Sequence, residues 1–268
     1  MRTVQSKDGT TIAFDQYGQG PTIIYVSGAI QHRAIDSETV KLAGLLASHF
    51  TLFHYDRRGR GDSGDTLPFA VEREIEDIEA LLDAAGGSGF LYGHSSGAAL
   101  AMEAAIQLGG KVKKLAMYEA PYNSEAAARQ GWKDYRKALR DALAADRRGD
   151  AAALFLRLVG TPDGQIEGMR HAPVWSMFEA VAPTLAYDAA VMGEEAAVPV
   201  EQAARVTIPA LVMNGGAGFD FMRDAALALA QAMRQGQQLT LADQTHNVSS
   251  EVIAPVLDAF FTSGTVLR

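Results

Sequence analysis

The chain has 268 residues, 48% of them apolar, enough for one large α/β domain or one domain with an insert. Its net charge is −8, and its densest basic cluster, Arg57-Arg58-Gly59-Arg60, is bracketed by Asp56 and Asp62, which argues against a nucleic-acid partner. It has no cysteine, which excludes disulfides, thiolate zinc sites and thiol nucleophiles. No apolar run approaches the ~18 residues that a membrane span needs, and residues 1–8 carry no apolar signal region. The expectation is a soluble cytoplasmic protein with no membrane partner.

Residues 2–6 and 11–17 read as two strands joined by an Asp-Gly turn at Asp8-Gly9. Residues 22–26, Thr-Ile-Ile-Tyr-Val, are continuously apolar, as a strand buried on both faces would be. Residues 38–48 have helical spacing, 51–55 form the next strand, and 71–85 form a helix with Ile75, Ile78, Leu81 and Leu82 on one face. A short apolar run, 90–92, precedes a helix reaching about residue 108, and 112–118 is another strand. Strands alternating with helices predict a mostly parallel central sheet with helices on both faces.

The rhythm breaks at Pro121. From there to Pro199 the pattern is helical: a long Ala-rich helix over 124–146, then shorter pieces at 151–159, 175–182 and 184–192, punctuated by prolines at 162, 173, 183 and 199. This predicts a core domain built from residues 1–120 and 200–268 and a helical lid insert at 121–199. Both tryptophans, Trp132 and Trp175, fall in the insert, and with Tyr135, Met177 and Phe178 they are candidates to line a substrate pocket. Beyond it, 210–213 is a strand, 221–232 a helix, 238–241 the last strand and 251–262 the closing helix.

The chain turns on residues 93–97, Gly-His-Ser-Ser-Gly, which match Gly-x-Ser-x-Gly between a strand and a helix. Such a turn lifts the Ser95 hydroxyl over the end of a sheet, with its backbone in an unfavourable conformation. A serine hydroxyl needs a base, and the base a third group to orient it. His246 lies in the loop after the last strand, where such a base belongs; His32, His49, His54, His94 and His171 do not.

These features together resemble the α/β-hydrolase superfamily. Residues 26–29, Val-Ser-Gly-Ala, follow a strand where that family usually has His-Gly-x. Residues 55–63 resemble its Asp-x-Arg-Gly-x-Gly-x-Ser segment, Ser95 sits in its nucleophile elbow, and His246 follows in the family's order of nucleophile, acid and histidine. The resemblance implies an oxyanion hole made by the Ser96 N–H and one from the turn after the third strand, most simply Ala29.

The acid has two candidates. Most relatives carry it in a Gly-x-x-Asp pattern after the strand that follows the insert, but the matching position here is Gly218, and Asp220 comes two residues late. Some α/β-hydrolases, certain haloalkane dehalogenases among them, place a Glu at the end of the strand after the elbow helix, where this chain has Glu119. Glu119 is the preferred acid and Asp220 the alternative. Residues 59–64 satisfy Gly-x-Gly-x-x-Gly literally, but no helix opens directly on them, so a dinucleotide site is not expected. Asp56 precedes the serine and is assigned a structural role with nearby arginines.

The expected activity is hydrolysis of an ester, thioester or lactone of a small apolar substrate through an acyl-enzyme, with no metal or cofactor. The same residues would also serve carbon–carbon bond hydrolysis or cofactor-free perhydrolysis. A catalytically weak ligand-binding protein on the same fold is the alternative of another class. Oligomeric state is not legible in the residues.

Overall fold

The structure, a computed structural model, describes residues 1–264. Eight strands form one sheet among the described residues: β1 (Arg2–Gln5), β2 (Thr11–Gly18), β3 (Thr22–Val26), β4 (Thr51–Tyr55), β5 (Gly89–His94), β6 (Val112–Tyr118), β7 (Ala210–Gly215) and β8 (Gly236–Leu241). Their order across the sheet is β1-β2-β4-β3-β5-β6-β7-β8. β1 and β2 are antiparallel, joined through the Asp8-Gly9 turn, where Gly9 takes φ 85° and Asp8 Oδ1 accepts from Thr10 N at 2.9 Å. β2 also pairs antiparallel with β4, and the other pairings are parallel.

The helices are α1 (Ser37–Leu46), α2 (Val71–Ala84), α3 (Ser96–Leu108), α4 (Ala126–Ala144), α5 (Arg148–Leu158), α6 (Asp163–Arg170), α7 (Trp175–Val181), α8 (Leu185–Val191), α9 (Val200–Ala203), α10 (Asp220–Ala232) and α11 (Ser250–Ser263). Alternation along the strands sorts side chains into two cores. Ile24, Val26, Leu91 and Met117 pack with α2, α3 and α10 on one face of the sheet. Ile23, Tyr25, Tyr92 and Tyr118 pack with α1 and α11 on the other. This is why β3 reads as an unbroken apolar run: both of its faces are covered.

The segment between β6 and β7 is helical, with no strand, and carries a third apolar cluster that includes Tyr135, Leu139, Leu156, Trp175 and Leu185. Among the differences from the sequence expectation are α6, the start of the long helix and the short α9, which was not expected. α6 forms across Gly164 and Gly168, two weak helix formers, with Ile166 as its one buried side chain. The long helix begins at Ala126, because Asn123 and Ser124 are used outside it: Asn123 Oδ1 accepts from Glu125 N, and Ser124 Oγ from Val198 N.

Candidate active site

The sheet order places one crevice. From β3 the chain moves to β4 on one side, and later to β5 on the other. Loops leaving the C-terminal ends of β3 and β5 therefore diverge, and such a switch point is where open α/β sheets bind ligands. Residues 27–30 leave β3 there, and Ser95 leaves β5.

Ser95 is half-buried at φ 57°, ψ −130°, a conformation that favours glycine. Its N–H donates to Tyr118 O and its carbonyl accepts from Ala98 N, both at 2.9 Å, so the strained turn is held from β6 and from α3. The two motif glycines serve close approach and not a left-handed backbone, for neither has positive φ. A Cβ on Gly93 would lie 2.5 Å from Ala98 Cα, and one on Gly97 would lie 2.1 Å from Val26 O. Gly28 is a third: its Cβ would meet Ser95 Cβ at 2.9 Å.

His246 and Glu119 come together. His246 Nδ1 is 2.8 Å from Glu119 Oε2, and because a carboxylate only accepts, Nδ1 carries the proton. In the neutral ring this leaves Nε2 as the acceptor. Glu119 Oε1 accepts from Gly215 N at 2.8 Å, so both carboxylate oxygens are engaged and the side chain is fully buried. Asp220 lies apart: it is the first residue of α10, its side chain is 84% exposed, and it pairs with Arg223 at 3.1 Å. Gly218, the position at which the resemblance would place an acid, faces the same carboxylate, and a Cβ there would lie 2.7 Å from Glu119 Oε1.

The histidine loop is fastened by groups that the sequence did not single out. Tyr118 Oη donates to Thr245 O at 2.5 Å. Burial, and then the neighbouring His246, push the His94 imidazole down to about 4. His94 is therefore neutral at pH 7, and its Nε2–H donates to His246 O at 2.9 Å.

At the β3 turn, Gly28 N–H donates to Gln31 Oε1 at 3.0 Å, while Arg60 Nη1 donates to Gly28 O at 2.6 Å and Arg57 Nη1 to Ser27 O at 3.2 Å. Arg57, Arg58 and Arg60 are all buried, so the densest basic cluster of the sequence is interior structure and not a surface for anions. Arg58 pairs with Asp77 and Asp8. Arg57 pairs with Glu74 and Asp188, and Arg60 with Asp188. Gly61 packs on Asp56, where a Cβ would lie 2.2 Å from Asp56 Oδ2, and Gly59 faces Thr184 and Asp65. Asp56 accepts from Arg33 N at 2.7 Å, Arg33 Nη2 at 3.1 Å and Asp62 N at 2.9 Å, so its arginine partner is Arg33 and not one of the three beside it.

A family model described as the alpha/beta hydrolase family matches residues 23–255. The chain belongs to the alpha/beta hydrolase family. It is 46% identical to an alpha/beta hydrolase from Sphaerobacter thermophilus over 97% of this chain and 100% of that one, with a TM-score of 0.84. A thermophilic esterase from Thermogutta terrifontis shares the fold at 20% identity, covering 91% and 90% of the two chains, with a TM-score of 0.65. An enol-lactonase from Burkholderia xenovorans does so at 19% identity over 98% of each chain, with a TM-score of 0.66.

In this alpha/beta hydrolase, Ala29 and Ile30 pack against the apolar cluster of the helical segment between β6 and β7. Trp175 is buried within that cluster, with its indole N–H 3.2 Å from Glu179 Oε1, and the partly buried Phe178 lies beside it. Trp132 packs against both this cluster and the main core, its indole donating to Gly193 O at 2.9 Å. Among the described residues, no group of three His, Cys, Asp or Glu side chains is arranged to hold a metal ion, and no helix is long and apolar enough to cross a membrane. Asp188, Arg57 and Arg60 escaped sequence reasoning as site residues. The available signal was a lone carboxylate in an apolar helix, Leu-Ala-Tyr-Asp-Ala-Ala-Val, which burial makes costly unless it is paired.

Proposed function

We propose that this hydrolase uses Ser95 as nucleophile, His246 as base and Glu119 as acid to cleave an ester, thioester or lactone of a small apolar substrate. Ser95 Oγ attacks the carbonyl carbon while its proton passes to His246 Nε2. The carbonyl oxygen becomes an oxyanion facing the N–H groups of Ala29 and Ser96. Collapse breaks the bond to the leaving oxygen or sulfur, which takes the proton from His246, and an acyl-enzyme remains. A water then gives its proton to His246 and attacks the acyl carbon. Collapse returns the proton to Ser95 and releases a carboxylic acid. Glu119 orients the ring and stabilises the imidazolium without itself taking a proton.

The observation that carries this reading is the buried Glu119 carboxylate against His246 Nδ1, with its second oxygen occupied by Gly215 N–H. A carboxylate committed to one ring nitrogen, on the strand beside the nucleophile, is arranged to orient a base. The helical insert serves in this reading as a lid. Its cluster meets Ala29 and Ile30, and Trp132, Trp175 and Phe178 give the pocket an apolar wall suited to an apolar acyl or ring-bearing group.

The test is turnover of a short-chain chromogenic ester by wild type and Ser95→Ala. The serine mechanism requires a loss of ~10³-fold or more in kcat/KM. Activity that persists in Ser95→Ala would remove it.

A further inference from the structure

One buried carboxylate at the catalytic edge joins segments far apart in the chain. Asp188 Oδ1 accepts from Ser96 Oγ at 2.8 Å and from Arg57 Nη1 at 2.7 Å, and its Oδ2 accepts from Arg60 Nη2 at 2.7 Å. Arg60 Nε donates to Thr184 Oγ1 at 3.0 Å, just ahead of α8. Burial pushes the Asp188 carboxyl up, but Arg60 and Arg57 more than offset this and hold it below the usual carboxylate range, so it is ionised.

The consequence lies in the peptide planes. A trans peptide holds its C=O and N–H antiparallel in one plane. Arg60, by gripping Gly28 O, fixes the plane of the 28–29 peptide and with it the direction of the Ala29 N–H. Gly28 N–H is committed to Gln31 and is not a free donor. The chain then passes Ile30 at φ 59°, a strained conformation for a β-branched residue, so the turn needs an external hold. On the other side of the crevice, the hydroxyl of Ser96 is tied to the same carboxylate, and Ser96 supplies the second N–H.

We propose that Asp188 is a positioning residue which presets both halves of the oxyanion hole, the Ala29 N–H through Arg60 and Gly28 O, and the Ser96 N–H through the Ser96 hydroxyl. The inference rests on the serine-hydrolase reading. It assigns the insert a part in the chemistry: α8 carries the carboxylate that aligns two donors in the core domain. Neutralising Asp188 leaves Arg57 and Arg60 facing an amide, and Arg60 loses the partner that aims it at Gly28 O. Preorganised donors stabilise the transition state more than the ground state, so the loss falls on kcat and not on KM.

The experiment compares wild type, Asp188→Asn and Ser96→Ala. The readouts are kcat and KM on a chromogenic acetate ester, the melting temperature, and inhibition by an alkyl boronic acid, whose serine adduct mimics the tetrahedral oxyanion. Removing one oxyanion donor costs ~10²–10³ in kcat. Asp188→Asn is expected to lose ~10²-fold in kcat with KM within about threefold of wild type, and to weaken boronate inhibition by a similar factor. Ser96→Ala keeps the Asp188 ion pairs and cuts only the hydroxyl link, so its expected loss is about tenfold with the melting temperature nearly unchanged.

A purely structural Asp188 would lower the melting temperature and leave kcat and boronate affinity within about threefold well below melting, and that result overturns the proposal. If Asp188→Asn fails to fold, Ser96→Ala decides: wild-type kcat and boronate affinity in that variant overturn it, and the tenfold loss supports it. Wild type without Ser95-dependent turnover removes the serine-hydrolase reading, and this inference with it. Ser95-dependent turnover that is insensitive to both substitutions removes the inference alone.

Discussion

Glu119 sits at φ 47° at the end of β6, a conformation few residues with side chains adopt, and its own N–H is held by Met213 O at 2.9 Å. Its carboxylate oxygens are engaged by His246 and Gly215. Glu119→Gln would place an amide against Nδ1 and favour the wrong tautomer, so kcat should fall by ~10²–10⁴, while Asp220→Asn should stay near wild type. Steady-state kinetics of the two variants decide between the acids, and the reverse pattern would make Asp220 the acid. His94 gives a second prediction. Its folded value, about 4, lies below the ordinary 6.5, so the unfolded chain binds its proton first as pH falls. The stability it contributes is complete above pH 6.5 and is lost as pH drops towards 4, on the order of 3 kcal/mol. Buried His54 is shifted the same way, so urea midpoints across that window should flatten in His94→Gln without becoming level. The meeting of His246 with Glu119 was legible from the elbow motif at Ser95 and the resemblance it supports, which put Glu119 ahead of Asp220 as the partner. Asp188 was not: its partners Ser96, Arg57 and Arg60 lie 92 to 131 residues away, and no spacing in the chain encodes that meeting.

Turns at the strand ends carry the strain of the site. Among the described residues, six non-glycine residues have positive φ, and four of them, Ile30, Ser95, Glu119 and Asp243, lie in loops after β3, β5, β6 and β8. These loops bear the proposed oxyanion donor, nucleophile, acid and base. Ser95→Gly removes the hydroxyl and relieves its backbone, whereas Ser95→Ala removes only the hydroxyl. Both should be inactive, and Ser95→Gly should be the more stable by about 1 kcal/mol in urea unfolding, after glycine's own entropic cost. Equal stabilities would mean that the elbow stores no strain. Between β6 and β7, α8 is pinned to the sheet's loops through Asp188, while α6 buries only Ile166. Amides of α6 should therefore exchange with deuterium at least about tenfold faster than those of α8. The helical character of the segment between β6 and β7 was legible from its Ala-rich, charge-laced pattern without strand runs, and its prolines marked the breaks. The phase of each helix was not, because Trp132 is set by a tertiary contact with Gly193 that helical periodicity does not specify.

At the scale of the molecule, strand order gathers the chemistry. β3, β5, β6, β7 and β8 run parallel, so every loop carrying a proposed catalytic group leaves the same edge of the sheet. A groove of about 1220 Å³, walled by Phe50, Phe90, Lys114 and Phe261, opens at the start of β5 and β6 and has no part in this site. The alternating pattern of strands and helices was enough to foresee the α/β fold, because two-sided burial leaves continuous apolar runs in the central strands. It did not foresee that three arginines of a net acidic chain lie inside, where they brace the turn after β3. The proposed mechanism makes one demand: Ser95 must be a reactive nucleophile although no serine hydroxyl is reactive on its own. Intact-mass analysis after exposure to a fluorophosphonate measures this directly. Wild type and Asp220→Asn should gain one phosphonyl group, mapped to the peptide containing Ser95, while His246→Ala and Ser95→Ala should gain none on the same timescale. An unlabelled wild type, or an adduct on any residue other than Ser95, would contradict it.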